Sequence, residues 1–224
     1  MKQLRILSLV IIMLATVQTA FAVGGKGLGI KAGANFSKNG FIAGDTKFQP
    51  GLTLGLTYEV KAVKVFAFEI GGLYHWKRSA ADGFSLDLDS LENFKNSFHF
   101  VEIPVVFKFY PMSWFNVNFG PYVSYVIAAK AEGVDRFGTR NIWNLISDSE
   151  FRDENGDKFL NRLDFGIHFG AEFVHKSGVG FGARYSQGFG DVTNNSFEWD
   201  KSMLKPDSER VKTSSIIGYI FYQF

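Results

Sequence analysis

The chain of 224 residues contains no cysteine. That excludes disulfides, a thiolate nucleophile, a thiolate metal site and a lipidated N-terminal cysteine. Proline is scarce, at 5 residues, which does not look like a disordered or collagen-like chain. Charge of one sign is lacking as well, with 24 Lys+Arg against 22 Asp+Glu. A chain so nearly neutral has no long-range field to steer it to nucleic acid, and no basic stripe appears locally. Beyond the first twenty or so residues no apolar run escapes interruption by a charged, polar or glycine residue. A later transmembrane helix is therefore not expected, and any membrane would have to be crossed by strands.

What is present begins with a sorting pattern. Lys2 and Arg5 precede the apolar stretch ILSLVIIMLATV, and Ala20-Phe21-Ala22 supplies a small-x-small cleavage site. The apolar stretch is shorter than the ~20 residues a spanning helix needs. Residues 1–22 read as a cleaved signal peptide and 23–224 as the mature domain. Removing Lys2 and Arg5 leaves cations equal in number to the 22 acids.

The mature part is rich in glycine, at 24 residues, and in aromatics, at 17%. Its hydropathy repeats every second residue in eight runs. Leu28, Ile30, Ala32, Ala34 and Phe36 alternate with Gly29, Lys31, Gly33 and Asn35. Comparable runs occupy 52–60, 66–76, 99–109, 116–127, 163–173, 179–189 and 214–224. The last, SSIIGYIFYQF, alternates least, because Ile217, Tyr219 and Phe221 make its second face apolar too. Runs of ten or so residues exceed the ~5–6 of ordinary strands and match the ~9–11 of a tilted membrane strand.

Connections alternate in length. KAVK, PMSW and HKSG are tight, whereas 37–47, 77–97, 130–161 and 191–212 are long. Short turns at one end and long loops at the other describe a transmembrane barrel. The fold class expected is all-β: an eight-stranded antiparallel transmembrane β-barrel with both termini periplasmic, in the outer membrane of a Gram-negative cell.

One face of the runs collects Lys31, Glu59, Glu69, Glu102, Lys108, Asp164, Glu172 and Arg184, with His75 and His168, among many glycines. In a narrow barrel these fill the lumen as a charge network, since a shielded charge needs a partner. The other face is almost free of charge, with Tyr58, Trp76, Phe109, Trp114, Tyr185 and Tyr222 near run ends, where aromatic girdles meet headgroups.

The stretches FEIGGLYHWKR, FVEIPVVFKFYP, NFGPYVSYVIAAK, RLDFGIHFGAEF and GVGFGARYSQGFGDV resemble the PorT-like family of outer-membrane β-barrel proteins, itself similar to small OmpA/OmpX-type barrels. Glu102-Ile103-Pro104 and Gly120-Pro121-Tyr122 are the most specific pieces. Pro104 and Pro121 within strands call for bulges or distorted pairing. The resemblance implies fold and location, and little about activity. Tyr222 and the terminal Phe224 resemble the signal read by barrel-insertion machinery.

Other patterns were weighed for chemistry. His175-Lys176-Ser177 has the His-x-Ser spacing of lipid A deacylase barrels, but it lies in a tight turn away from outer-leaflet lipid, and a polar hairpin turn is preferred. Asp153, Asn155 and Asp157 are spaced loosely like a calcium loop, yet Lys158 stands where such a loop needs glycine. No phosphate loop, zinc spacing or nucleophile elbow occurs. The expectation is a non-enzymatic barrel without cofactor or metal, acting structurally or through its long loops. Its expected partners are outer-membrane lipid and the insertion machinery. A passive porin-like channel and a lipid-modifying enzyme are the alternatives. No extracellular or periplasmic protein partner is named by these residues.

Overall fold

In a computed structural model the described residues are 27–39, 46–81, 84–86, 89–134, 140–146, 160–190 and 213–224. The signal segment and the acidic stretch around Asp153, Asn155 and Asp157 lie outside them.

Among the described residues ten strands form: β1 (Leu28–Asn39), β2 (Thr46–Val63), β3 (Phe66–Ala81), β4 (Phe84–Leu86), β5 (Asp89–Met112), β6 (Phe115–Val134), β7 (Arg140–Asn144), β8 (Leu163–Val174), β9 (Val179–Gly188) and β10 (Thr213–Gln223). Eight of them close a ring in the order β1-β2-β3-β5-β6-β8-β9-β10, with every pairing antiparallel. The first strand pairs the last from Gly29↔Gln223 to Asn39↔Thr213. Phe224 then donates its backbone N–H to Leu28 O at 2.9 Å. The chain's end is thereby held in the ring instead of fraying.

The alternation in sequence becomes inside and outside. Phe165, Phe181 and Ile220 are 52%, 59% and 67% exposed, whereas Glu69 and Arg184 are 2% and 3% exposed. A fold with oily side chains outward and charges inward is stable only where its exterior meets hydrocarbon. In β10, Ile217, Tyr219 and Phe221 turn inward, and Ile216, Ile220, Tyr222 and Phe224 outward.

Among the described residues three tight turns lie at the end where β1 begins and β10 stops: Lys64–Val65, Ser113–Trp114 and His175–Gly178. In the last of these Gly178 adopts φ 88°, a left-handed conformation that costs a residue with a Cβ. Aromatic rings cluster at this same end. Phe66 packs on Phe109 at 5.2 Å between centroids, and Phe173 stacks on Trp114 and Phe181 at 5.9 and 5.0 Å.

At the opposite end the structure corrects two expectations. Strands of ten or so residues are found at β1, β8, β9 and β10, but β2, β3, β5 and β6 reach 18, 16, 24 and 20 residues. The connections read as long loops at 77–97 and 130–161 are partly strand: β3 and β5 continue into the first, joined by β4, and β6 and β7 pair within the second. Beyond the hydrocarbon the outward face no longer has to be apolar: Phe98, Ala129 and Ala131 stay buried within while Lys95 and Lys130 stand outside, so pairing continues as the hydropathy pattern fades.

Pro104 and Pro121 sit without a register shift. Pairing of β3 with β5 skips from Ile70↔Val105 to Leu73↔Glu102, and that of β5 with β6 from Pro104↔Tyr122 to Phe107↔Phe119. The ladder is interrupted and not bulged. A bulge falls instead between Gln49 and Leu52, at Pro50-Gly51.

Candidate functional site: a charge-filled lumen

Period two aims alternate side chains of all eight ring strands at one axis, and an eight-stranded bore is narrow enough for them to meet. Near the short-turn end they form a single network. Lys31 Nζ donates to Glu69 Oε1 at 2.7 Å and to Glu172 Oε1 at 2.8 Å. Lys108 Nζ lies 3.0 Å from Glu59 Oε2, 2.6 Å from Glu69 Oε2 and 2.7 Å from Glu172 Oε2. Arg184 Nη2 stands further off, 3.8 Å from Glu69 Oε1.

Neutral donors complete the carboxylates. Tyr110 Oη donates to Glu59 at 3.0 Å, Tyr219 Oη to Glu172 Oε1 at 2.8 Å and Asn116 Nδ2 to Glu172 Oε2 at 3.1 Å. Lys31 also lies over the rings of Tyr219 and Phe221, 5.1 and 5.6 Å from their centroids. Room for this comes partly from Gly182. A Cβ there would come within 2.8 Å of Glu172 Cγ and 2.9 Å of Tyr219 Cζ.

Two of the eight residues read from sequence stand apart from that cluster. Glu102 Oε2 is 3.3 Å from His75 Nε2, and His75 Nδ1 is 2.9 Å from Thr53 Oγ1. Asp164 Oδ2 accepts from Thr213 Oγ1 at 2.9 Å and, at 3.5 Å, from Tyr122 Oη. His168 stacks on Tyr122 at 6.4 Å, and both its ring nitrogens lack a hydrogen-bond partner among the described residues. The lumen near the short turns is thus filled by the ion pairs of Lys31 and Lys108, whereas Arg184, Glu102, Asp164 and His168 each keep a buried polar atom without a hydrogen-bond partner among the described residues.

Sequence reading missed Tyr110, Tyr219 and Asn116 as donors, and Lys77 altogether. Lys77 is buried, with Nζ 4.8 Å from the Phe100 ring centroid. It continues the inward register of Glu69, Leu73 and His75.

His175 Nδ1 does lie 2.9 Å from Ser177 Oγ. The same nitrogen also accepts the Ser177 backbone N–H at 3.2 Å, both side chains are exposed, and no third group orients the ring among the described residues. This is the geometry of a capped turn. Among the described residues no group of three His, Cys, Asp or Glu is placed to hold a metal. Tyr222 and Phe224 lie outward at the short-turn end, edge to face at 4.9 Å.

A closed antiparallel ring with an apolar exterior and a charged interior defines a transmembrane β-barrel. The chain belongs to the outer membrane protein beta-barrel domain family, whose model matches residues 18–194. The match stops before β10, the strand that closes the ring. No curated protein sequence matches the chain. Among solved structures, Neisserial surface protein A is similar at 11% identity and a TM-score of 0.46, with 90% of this chain and 99% of that chain covered. Ail, the attachment invasion locus protein of Yersinia pestis, solved with the heparin analogue sucrose octasulfate, is similar at 13% identity and a TM-score of 0.46, with 89% and 99% covered.

Proposed function

We propose that the chain is exported by a cleaved signal peptide at 1–22. On this reading residues 23–224 serve in the outer membrane of a Gram-negative cell as a PorT-like, non-enzymatic barrel. Its short turns and termini face the periplasm, and its long connections carry whatever interactions it makes. The observation that supports a plugged barrel over a porin-like channel is the pairing of Lys108 with Glu59, Glu69 and Glu172 across the lumen.

Membrane fractionation followed by electrophoresis with and without boiling tests the placement. Recovery in the outer-membrane fraction with a heat-dependent mobility shift is expected, and recovery as a soluble periplasmic protein would reject it. In planar bilayers the purified barrel is expected to show no steady ohmic conductance; a steady open level would establish the passive pore instead. Lipid hydrolysis that disappears in Ser177→Ala would establish the enzyme.

Assembly supplies a further prediction. Phe224 projects outward beside Tyr222, at the position proposed for the insertion signal. Phe224→Ala keeps the backbone bond to Leu28 and removes only the ring. Its expected outcome is less heat-shiftable barrel in membranes at unchanged synthesis, measured by blotting. An unaltered yield would remove Phe224 from the signal.

A further inference from the structure

A second cluster of charge and aromatic rings faces outward, at the end opposite the plug. On β3, Tyr74, Trp76 and Arg78 point away from the lumen, while His75 and Lys77 point into it. The antiparallel register carries each across β5 to β6. Tyr74 faces Val101 and then Tyr125; Trp76 faces His99 and then Ala128; Arg78 faces Ser97 and then Lys130. The surface therefore passes in three rungs from phenols, through indole and imidazole, to two cations.

The cluster is tied together. Arg78 lies over the Trp76 ring at 5.3 Å, Trp76 stacks on His99 at 6.2 Å with 9° between planes, and Trp76 Nε1 donates to Ser97 Oγ at 2.6 Å. Tyr74 Oη meets His99 Nδ1 at 2.5 Å. The top rung reads Arg78, Ser97, Lys130 and Asn144, with no acid; one rung further out Lys95 stands opposite Glu132.

Depth decides what this surface meets. From Phe66, in the aromatic cluster of the short-turn end, to Trp76 is ten residues along β3. At ~3.3 Å per residue and a tilt of ~40° this is about 25 Å along the axis, the height of the apolar band of such barrels. Arg78 and Lys130 fall just beyond that band, where lipid phosphates lie. Two strand spacings separate their backbones, about 10 Å. That gap suits a phosphate held by both side chains, with the Ser97 hydroxyl between them free to donate.

We propose that Arg78, Ser97 and Lys130 bind the phosphate of an anionic lipid of the outer leaflet, with Trp76 and Tyr74 packing against its upper acyl chains. The orientation rests on the outer-membrane placement above. The test is native mass spectrometry of the barrel taken from vesicles of equal phosphatidylcholine and phosphatidylglycerol, alongside unheated electrophoresis. Phosphatidylglycerol is expected to be retained in preference to phosphatidylcholine. Arg78→Gln and Lys130→Gln are each expected to reduce that preference roughly fivefold, as a cation near a charged membrane surface is worth ~1 kcal/mol. Arg78→Lys with Lys130→Arg, which keeps both charges, is expected to retain it.

Equal retention of the two lipids by the native chain, or a preference untouched by either Gln substitution in a heat-shiftable barrel, overturns the proposal. So does displacement of the lipid by millimolar inorganic phosphate, which would mark a site for the free anion. Loss of the mobility shift in the native chain would instead overturn the barrel reading itself.

Discussion

Lys108→Met is expected to destabilise the barrel by about 3–5 kcal/mol, the cost of taking one partner from a buried ion pair. Lys108 holds three carboxylates at once, with Glu59, Glu69 and Glu172 all within 3.0 Å of its ammonium. Without it Glu69 and Glu172 share Lys31, and Glu59 keeps the Tyr110 hydroxyl. Methionine fills a similar volume, so the loss is electrostatic and not a cavity. Urea unfolding of the vesicle-embedded barrel, followed by tryptophan fluorescence, reads it as a lower midpoint at unchanged slope. Adding Glu59→Gln, which removes the acid left with fewest partners, is expected to recover part of the loss, because residues of one network do not act additively. A midpoint equal to that of the native chain would mean that the three acids shed their charge at no cost, and the lumen would not be the tight network described.

The eight ring strands were legible because hydrocarbon on one side and a shared lumen on the other enforce period two wherever the wall spans the membrane. Lys31, Glu69 and Arg184 could be assigned to one face from that alone. Which acid meets which cation could not. Lys31 reaches Glu172 across 141 positions of sequence, a contact set by strand order and register around a closed ring. Hydropathy fails at a different place in β10. Phe221 and Phe224 are equally apolar, yet Phe221 packs in the lumen opposite Lys31 and Phe224 faces outward. A small lumen holds rings as well as charges, so an apolar side chain does not by itself name its solvent. Lys77 was obscured for a related reason. Its outward neighbour Arg78 is also charged, and where the strand leaves hydrocarbon the contrast that marks the two faces is gone.

The exterior makes the opposite demand, and Phe169→Arg tests it. Phe169 lies midway along β8, projects outward, and pairs with Phe119 on β6 and Tyr185 on β9. Were this face wet, exchanging an exposed phenylalanine for arginine would change stability by no more than about 0.5 kcal/mol. Facing the middle of a bilayer, the same exchange is expected to cost about 2–4 kcal/mol. Met112→Arg, outward at the short-turn end of β5, is the control and should cost about 0–1 kcal/mol, since a charge near the interface reaches water. Urea midpoints in phospholipid vesicles compare the two directly. A large loss at Phe169 beside a small one at Met112 follows only if depth in hydrocarbon sets the penalty. Equal and small losses would place Phe169 in water, and the exposed aromatic face would then need a protein covering in place of lipid.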